Sequence, residues 1–517
     1  MRVHDMSWGW LSPRGRVLAR AGIGALTWVI GPDLVDEAVG DGLAWEMRLR
    51  KLPARAGVYF VLGLCLLAGK PYLDVIRQVT LGLEDALGAA GWTVPATTAL
   101  TRARARLGEA PLESLFRRLC TALACGRAPW SHYGGLLVVA WDGTTIAVSS
   151  SAANAAAFGR PSSGRKKQKD GPGDTAGPQI RLVTLVACGT RCLLDAAFGP
   201  SRGTGTGERA LAGQLTRSLD AGMLLLADRN FYSYPLYRQV RATGAHVLWR
   251  LKQNNVQLPV IAALPDGSWL SHIADPRARH AQLSKNGKRR RNRSPLPPDR
   301  SPLPGITVRV IAFTITVTSD GGTARTEPYL LVTSLTDWRA CRASDLAGLY
   351  AWRWAIETGY RECKTYLRGP GRVLRGQTPV LARQELWALL AVYQAIRILI
   401  VRAAARDSLD PDRISFTTTL NALTRDMTTG RRRDQRRALD SLDAEILAPA
   451  ALVPARHGRV CIRAVRERPA SYRSRRNTTG PIAQHVTYTI TVTPGAHRTP
   501  TTSNQHKQPS QPPPSPP

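Results

Sequence analysis

Acidic residues are scarce in this chain. Asp and Glu number 37 against 71 Lys and Arg in 517 residues, a formal net charge of 71 − 37 = +34. The excess runs along the whole chain, so it draws polyanions: nucleic acid first, an anionic membrane surface second. Histidine is also rare, with nine residues spread singly, which argues against His-based metal or triad chemistry. The eight cysteines are scattered. Their closest spacings, Cys120 to Cys125 and Cys188 to Cys192, lack the second ligand pair of a zinc site, so reduced thiols are expected. Long apolar runs are missing too. The longest, Ala56 to Gly69, counts 14 residues, short of the roughly 18–20 that span a bilayer, and reads as a buried helix. The first residues carry no apolar segment of signal-peptide type, so a cytoplasmic location and no membrane contact are expected.

What is present falls into blocks. Up to about residue 110 the apolar residues recur at helical spacing. Late in this block, after Pro95, Arg102, Arg104 and Arg106 cluster beside Leu100 and Leu107. Two readings stand open, a helix on DNA phosphates and a solvated basic face. From Gly135 the pattern changes to short branched apolar runs, Leu136–Ala140, Ile180–Val186 and Met223–Ala227, with a helical stretch Glu208–Leu219 between them. Such alternation indicates an α/β core. A β-rich block follows over 256–336, with strands at Thr307–Val317 and Tyr329–Thr333 and a basic run Lys285–Arg293 expected as an exposed loop. Helical pattern returns from Asp345 to Ala405. The Pro- and Ser-rich end beyond about Arg476 reads as a mostly disordered tail, apart from a short strand at 486–492.

Three acids stand where acids are costly. Asp142 follows the run LLVVAW, and Asp228 follows MLLLA. In open α/β sheets, functional groups gather at the carboxyl ends of strands, although an Asp there can equally be a turn former or helix cap. The third element is YAWRWAIETGYRECK. Tyr350, Arg353, Glu357 and Lys364 lie at offsets 0, 3, 7 and 14, falling near about 0°, 300°, 340° and 320° on a helical wheel. Leu349, Trp352, Ile356 and Cys363 form a neighbouring apolar face. A uniform α-helix would bury that face and present the four polar residues as a straight stripe of ~21 Å. Asp142, Asp228 and Glu357 together make an all-oxygen ligand set suited to Mg²⁺ or Mn²⁺. Two such ions can activate a water or a 3′-hydroxyl and stabilise the leaving oxygen of a phosphodiester.

These strings resemble the IS4 family of DDE transposases, the cut-and-paste enzymes of bacterial insertion sequences. The Y-x2-R-x3-E-x6-K signature is complete in Tyr350, Arg353, Glu357 and Lys364. The WDGTT and ADRNFYS strings are similar to the family's two aspartate motifs, and AANAAAFGR (152–160), DPDRISFTTTL (410–420) and the N-terminal stretch 22–108 also look like family sequence. The resemblance covers roughly residues 20–475.

It implies an α/β fold with an RNase H-like catalytic core, a β-rich insertion and a helical N-terminal domain ahead of them. The spacing 357 − 228 = 129 residues leaves room for the insertion. The implied division is an arm at 1–20, a helical DNA-binding domain at 21–115, catalytic parts at 130–255 and 337–405 around the insertion at 256–336, a helical region at 406–475 and the tail at 476–517. The resemblance makes Asp142, Asp228 and Glu357 catalytic residues and metal ligands for two ions. It makes Tyr350, Arg353 and Lys364 contacts to the transposon-end backbone, with Arg229 a further phosphate ligand and Trp354 a platform for an unstacked base. Double-stranded DNA, both element ends and target, is the implied partner, held by a synaptic homodimer at the bacterial nucleoid. An RNase H-like nuclease and a non-catalytic DNA-binding relic are the alternatives. Glu362 is expected to point away from the site, and Asp195 and Glu208 are minor candidates. The basic runs Arg165–Lys169, Lys285–Arg293 and Arg431–Arg437 are open to DNA contact or to plain solvation.

Overall fold

The computed structural model describes residues 13–18, 20–42, 51–121, 129–160, 177–203, 205–252, 258–291, 303–319, 324–428, 435–454 and 486–494. The run Arg165–Lys169, most of Arg431–Arg437, Cys125 and the tail apart from 486–494 lie outside them. The chain forms two compact units, one of residues 1–251 and 348–480, the other of 252–347 and 481–517.

The first unit begins with helices α1 (Pro13–Leu18), α2 (Pro32–Asp41), α3 (Ala54–Leu66), α4 (Tyr72–Val79), α5 (Glu84–Ala89), α6 (Thr97–Leu107) and α7 (Ala110–Thr121). The apolar run that is too short for a membrane becomes α3, buried on nearly every side. Sheet strands follow: β1 (His132–Tyr133), β2 (Leu136–Ala147), β3 (Gln179–Ala187), β4 (Leu193–Pro200), β5 (Met223–Ala227) and β6 (His246–Arg250). Between them lie α8 (Ala152–Phe158), α9 (Glu208–Gln214) and α10 (Tyr234–Ala242). The order is β4-β3-β2-β5-β6, with β1 against the start of β2. The β4-β3-β2 hairpins are antiparallel, and β5 and β6 run parallel to β2. Short Leu- and Val-rich strands with both faces covered explain why β2, β3 and β5 read as continuous apolar runs.

The second unit holds β7 (Ala262–Ala263), β8 (Trp269–Ala274), α11 (Pro276–Arg291), β9 (Gly305–Ser319) and β10 (Ala324–Thr333), and most of α12 (Ala343–Leu349). The long β9 pairs with β10 along one edge, and with β8 and the strand at Val486–Val492 along successive halves of the other. Helix α11 corrects the loop expected at Lys285–Arg293. No proline interrupts Lys285–Arg291, and Lys and Arg are good helix formers.

The chain then returns to the first unit with α13 (Trp354–Arg361), α14 (Pro379–Arg406), α15 (Phe416–Thr428) and α16 (Gln435–Ile446); β11 is the strand Val486–Val492 of the second unit. Thr378 caps α14 by accepting from the Leu381 N–H, with Pro379 in the first turn. Among the described residues α14 is the one helix long and apolar enough to cross a membrane, yet it is mostly buried within the protein. It packs against α3 and α7, so the N-terminal helices share one core with the helix that follows the sheet.

This packing settles the arginine trio of α6. Arg102 and Arg106 are exposed, but Arg104 is 1% exposed. Its Nε donates to Gln384 Oε1 at 3.0 Å and its Nη2 lies 3.4 Å from Glu385 Oε2, both on α14. Neither reading of the sequence holds for Arg104: it is an internal cation joining two helices.

Candidate active site

The parallel pairing of β2 with β5 ends at Ala140↔Leu226. Two residues further on stand Asp142 and Asp228, which places both carboxylates on one face of the sheet by the two-residue period of strands. Asp228 directly follows β5. Asp142, expected at a strand end, lies instead within β2. The antiparallel partner β3 carries the strand onward, with Asp142↔Thr184 in register, to Ala147↔Gln179. The site thus opens where β5 stops and β2 continues. A Cβ at Gly143 would press on the Glu208 carboxylate at the start of α9, so that side chain would have to shift.

The Tyr350–Lys364 segment is not the uniform α-helix expected. Tyr350–Arg353 is a 3₁₀ turn, α13 follows, and Glu362–Leu367 is a π-helical turn. The straight stripe therefore breaks at both ends, since the three helix types advance by different angles per residue. Leu349, Ile356 and Cys363 are buried as expected, while Trp352 is only half-buried. Tyr350 is 4% exposed, and its hydroxyl donates to the Ala227 carbonyl at 3.3 Å, on the residue preceding Asp228. Arg353 is 6% exposed. In this arrangement both side chains are turned inward, among the acids.

Arg353 sits among the acids. Its Nη1 lies 3.4 Å from Asp142 Oδ2 and its Nη2 3.4 Å from Glu357 Oε1. Burial lowers its pKa, but Tyr350, then Asp142, Asp228 and Glu357, hold it above the ordinary value. Burial pushes Asp142 up to about 6; Arg353 and the Gly143 N–H oppose this, while Glu357 and Asp228 add to it. Lys364 Nζ donates to Thr144 Oγ1 at 2.9 Å, two residues beyond Asp142. The structure thus brings Asp142, Asp228, Glu357, Arg353, Tyr350 and Lys364 together. Arg229, beside Asp228, is exposed. Trp354 is 43% exposed, with its ring 5.2 Å from Arg353 Cζ.

Of the minor candidates, Glu208 stands at the site with its carboxylate against Gly143, whereas Asp195 and Glu362 fall elsewhere. Asp195 is buried between Arg117, Arg217 and Ser218, a structural cluster. Glu362 points away from the acids, as the wheel predicts, and is buried with Arg191, Arg397 and Tyr393. One contributor escapes the sequence. The Tyr360 hydroxyl donates to the Asp142 carbonyl at 2.6 Å and accepts from the Thr184 hydroxyl at 3.0 Å, fixing Asp142 against the helix. Its offset of ten from Tyr350 puts it at about 280° on the wheel, at the border of the polar arc, which is the one signal that could have flagged it.

The donor chemistry suits a hard divalent ion: three carboxylates from adjacent elements. Among the described residues, however, no three His, Cys, Asp or Glu stand close enough to hold an ion as they are. The space between Asp142 and Glu357 is taken by the Arg353 guanidinium, whose buried Nε has no partner.

Comparison with known proteins gives concordant matches. Residues 20–117 match the family described as insertion element 4 transposase N-terminal, and residues 133–394 match the transposase DDE domain, a span that contains all three acids. The chain is 26% identical over 446 residues to the transposase InsG for insertion sequence element IS4 of Escherichia coli (strain K12), covering 86% of this chain and 92% of that protein. It is 29% identical over 205 residues to the putative transposase InsZ of the same organism, covering 40% of this chain and 63% of that protein. Among solved structures, a piggyBac transposase synaptic complex with hairpin DNA matches with a TM-score of 0.39 and 10% identity, over 82% of this chain and 84% of that one. A likeness of that size carries no argument here.

Proposed function

The chain belongs to the IS4-family DDE transposases, and from that premise we propose that it cleaves DNA at the ends of its element and joins the freed 3′-hydroxyls to target DNA. The observation that carries this reading is the shared register of Asp142 and Asp228 at the opening between β2 and β5, with Glu357 held beside them through Arg353. The strand order β4-β3-β2-β5-β6, antiparallel then parallel, supports an RNase H-like core. The larger part of the second unit, residues 252–347, lies between Asp228 and Glu357 and supports an insertion there, to which β11 adds a strand.

In this reading Asp142, Asp228 and Glu357 hold two Mg²⁺ or Mn²⁺ ions. When bound, such ions supply a nucleophile from water or a 3′-hydroxyl and stabilise the leaving oxygen. The chain's own groups do the rest. Tyr350, bonded to the Ala227 carbonyl, fixes the β5 end that carries Asp228. Tyr360 fixes Asp142. Lys364 and exposed Arg229 neutralise backbone phosphates near the scissile bond, and the wider basic field of +34 holds the duplex. Trp354 offers an exposed ring to an unstacked base at the cleaved end. Two ends must be held together, so the working form is a homodimer on double-stranded DNA, acting in the cytoplasm.

The test uses a linear DNA carrying the gene with its natural flanks, incubated with purified protein and Mg²⁺ or Mn²⁺ beside Glu357→Gln. Metal-dependent 3′ ends at paired inverted repeats, lost in the variant, are expected. Binding without cleavage in wild type and variant alike would refute the assignment and leave a DNA-binding relic.

A further inference from the structure

We propose that Arg353 is the cation that fills the ion site before ions arrive, and that loading the site drives its guanidinium outward toward the DNA. The inference rests on the reading of Asp142, Asp228 and Glu357 as ion ligands. Three observations carry it. The guanidinium occupies the middle of the acid cluster, 3.4 Å from a carboxylate oxygen of both Asp142 and Glu357 and within the field of Asp228. Those contacts are long for charge-assisted hydrogen bonds, which run about 2.7–2.9 Å. And Arg353 is 6% exposed while its Nε is buried without a partner, so its burial is incompletely compensated.

A guanidinium in this position and a divalent cation among the same carboxylates exclude each other, by volume and by like charge. From its place among the acids the guanidinium already lies against an aromatic face that leads outward. Its Cζ lies 5.2 Å from the ring of Trp354, which is exposed, and an aromatic face is a good support for a desolvating arginine. Arg353 is also the last residue of the 3₁₀ turn before α13, where the helix changes type. Turning out over Trp354 would bring the charge to the surface on which a phosphate would approach. Ion loading and phosphate contact are then two halves of one exchange, and each must favour the other by linkage.

The experiment is direct Mn²⁺ binding to the full chain without DNA, by the loss of free-ion signal in electron paramagnetic resonance. Arg353→Gln removes the competing charge and keeps hydrogen-bond donors. It should bind Mn²⁺ at least about tenfold more tightly than wild type, a shift of about 1.4 kcal/mol. Arg353→Lys, which keeps a cation there, should stay near wild type. Lys364→Gln controls for the general field, because Lys364 bonds Thr144, and it should tighten binding far less than Arg353→Gln. Thermal unfolding of each variant identifies any that fail to fold, and the Lys variant then carries the comparison: tenfold tighter binding by folded Arg353→Lys would overturn the exchange. So would equal or weaker binding by Arg353→Gln, or an equal gain from Lys364→Gln. If wild type binds Mn²⁺ and Asp142→Asn does not, the ligand reading survives such a failure. If neither wild type nor Arg353→Gln binds any Mn²⁺, the ligand reading falls and the exchange falls with it.

Discussion

Replacing Arg104 by Met tests whether this arginine is a structural cation or a DNA contact. Arg104 reaches from α6 to α14, where Gln384 Oε1, the Leu381 carbonyl and the Glu385 carboxylate accept from it, and Tyr72 hydroxyl and ring lie against it. Breaking a buried ion pair from one side costs about 3–5 kcal/mol, because the remaining charge is left uncompensated. Glu385 keeps the N–H groups of Arg375 and Gly376, at 3.0 and 3.2 Å. We therefore expect Arg104→Met to cost about 3 kcal/mol, the lower end of that range. Urea unfolding followed by tryptophan fluorescence should show a lower midpoint at unchanged slope. The double variant with Glu385→Gln should lose less than the sum of the two single losses, with a coupling of about 1–3 kcal/mol. A phosphate contact predicts something else. Its removal would lower the slope of log affinity for DNA against log salt by about 0.9 and leave stability nearly unchanged. A destabilisation under about 1 kcal/mol together with that loss of slope would refute the structural role.

Asp142 must lose its proton to ligate an ion, and its carboxyl is pushed up to about 6. Mn²⁺ affinity and cleavage should therefore fall as pH drops through about 6. The sign for stability is opposite: the folded state binds the proton more tightly than the unfolded one, so this group favours the ion-free fold on acidification from about 6 toward the ordinary value. Mn²⁺ binding that stays constant between about pH 5 and 7 would sink the argument. Glu362→Gln removes the counter-charge of Arg191, 2.5 Å away, and of Arg397. It should cost about 3 kcal/mol in chemical unfolding, and a loss under about 1 kcal/mol would show the network to be dispensable. In the second unit, burial raises the pKa of Asp266, but the Ser268 hydroxyl, the Ala343 N–H and Arg309 together bring it below the ordinary value. Its contribution is complete above that value and lost as pH falls through the folded pKa. Protection of the amides across β8 and β9, relative to their intrinsic exchange at each pH, should fall in acid for wild type, whereas in Asp266→Asn it should be low throughout. An unchanged acid profile in the variant would contradict this.

The acid cluster was legible because its chemistry conflicts with its surroundings. Asp142 and Asp228 end apolar runs that only a buried sheet explains, and the spacing of Tyr350, Arg353, Glu357 and Lys364 is a strong pattern. What stayed hidden depends on partners distant in the chain. The sequence near Asp142 cannot show that β3 extends β2 past it, since that pairing belongs to residues 179–187. A wheel drawn at 100° per residue cannot anticipate a 3₁₀ turn at Tyr350 or a π turn at Glu362, and so it put Tyr350 and Arg353 on an open face. Arg104 looks like its neighbours Arg102 and Arg106 until Gln384 and Glu385, some 280 residues later, are placed beside it. Tyr360 is a case of the same kind, since its role is set by Thr184 across the sheet.

The scarcity of acids gives those that remain a sharper meaning. Many are consumed as internal counter-ions to arginine: Asp195 faces Arg117 and Arg217, Glu362 faces Arg191, Asp266 faces Arg309, and Asp443 faces Arg402 and Arg406. In those clusters one carboxylate meets one or two cations, and charge is balanced or positive. At the opening between β2 and β5 the ratio reverses, with Asp142, Asp228 and Glu357 around the single guanidinium of Arg353. Even with Lys364 counted beside Arg353, carboxylates outnumber cations there, inside a protein whose net charge is +34. The long-range field and the local one therefore ask for opposite ligands. The surface attracts a phosphate backbone, while the site beneath it can accept that backbone only once cations have entered, because bare carboxylates repel a phosphodiester. A local excess of carboxylates favours ion loading before phosphate contact, and that is the order the proposed displacement of Arg353 would enforce.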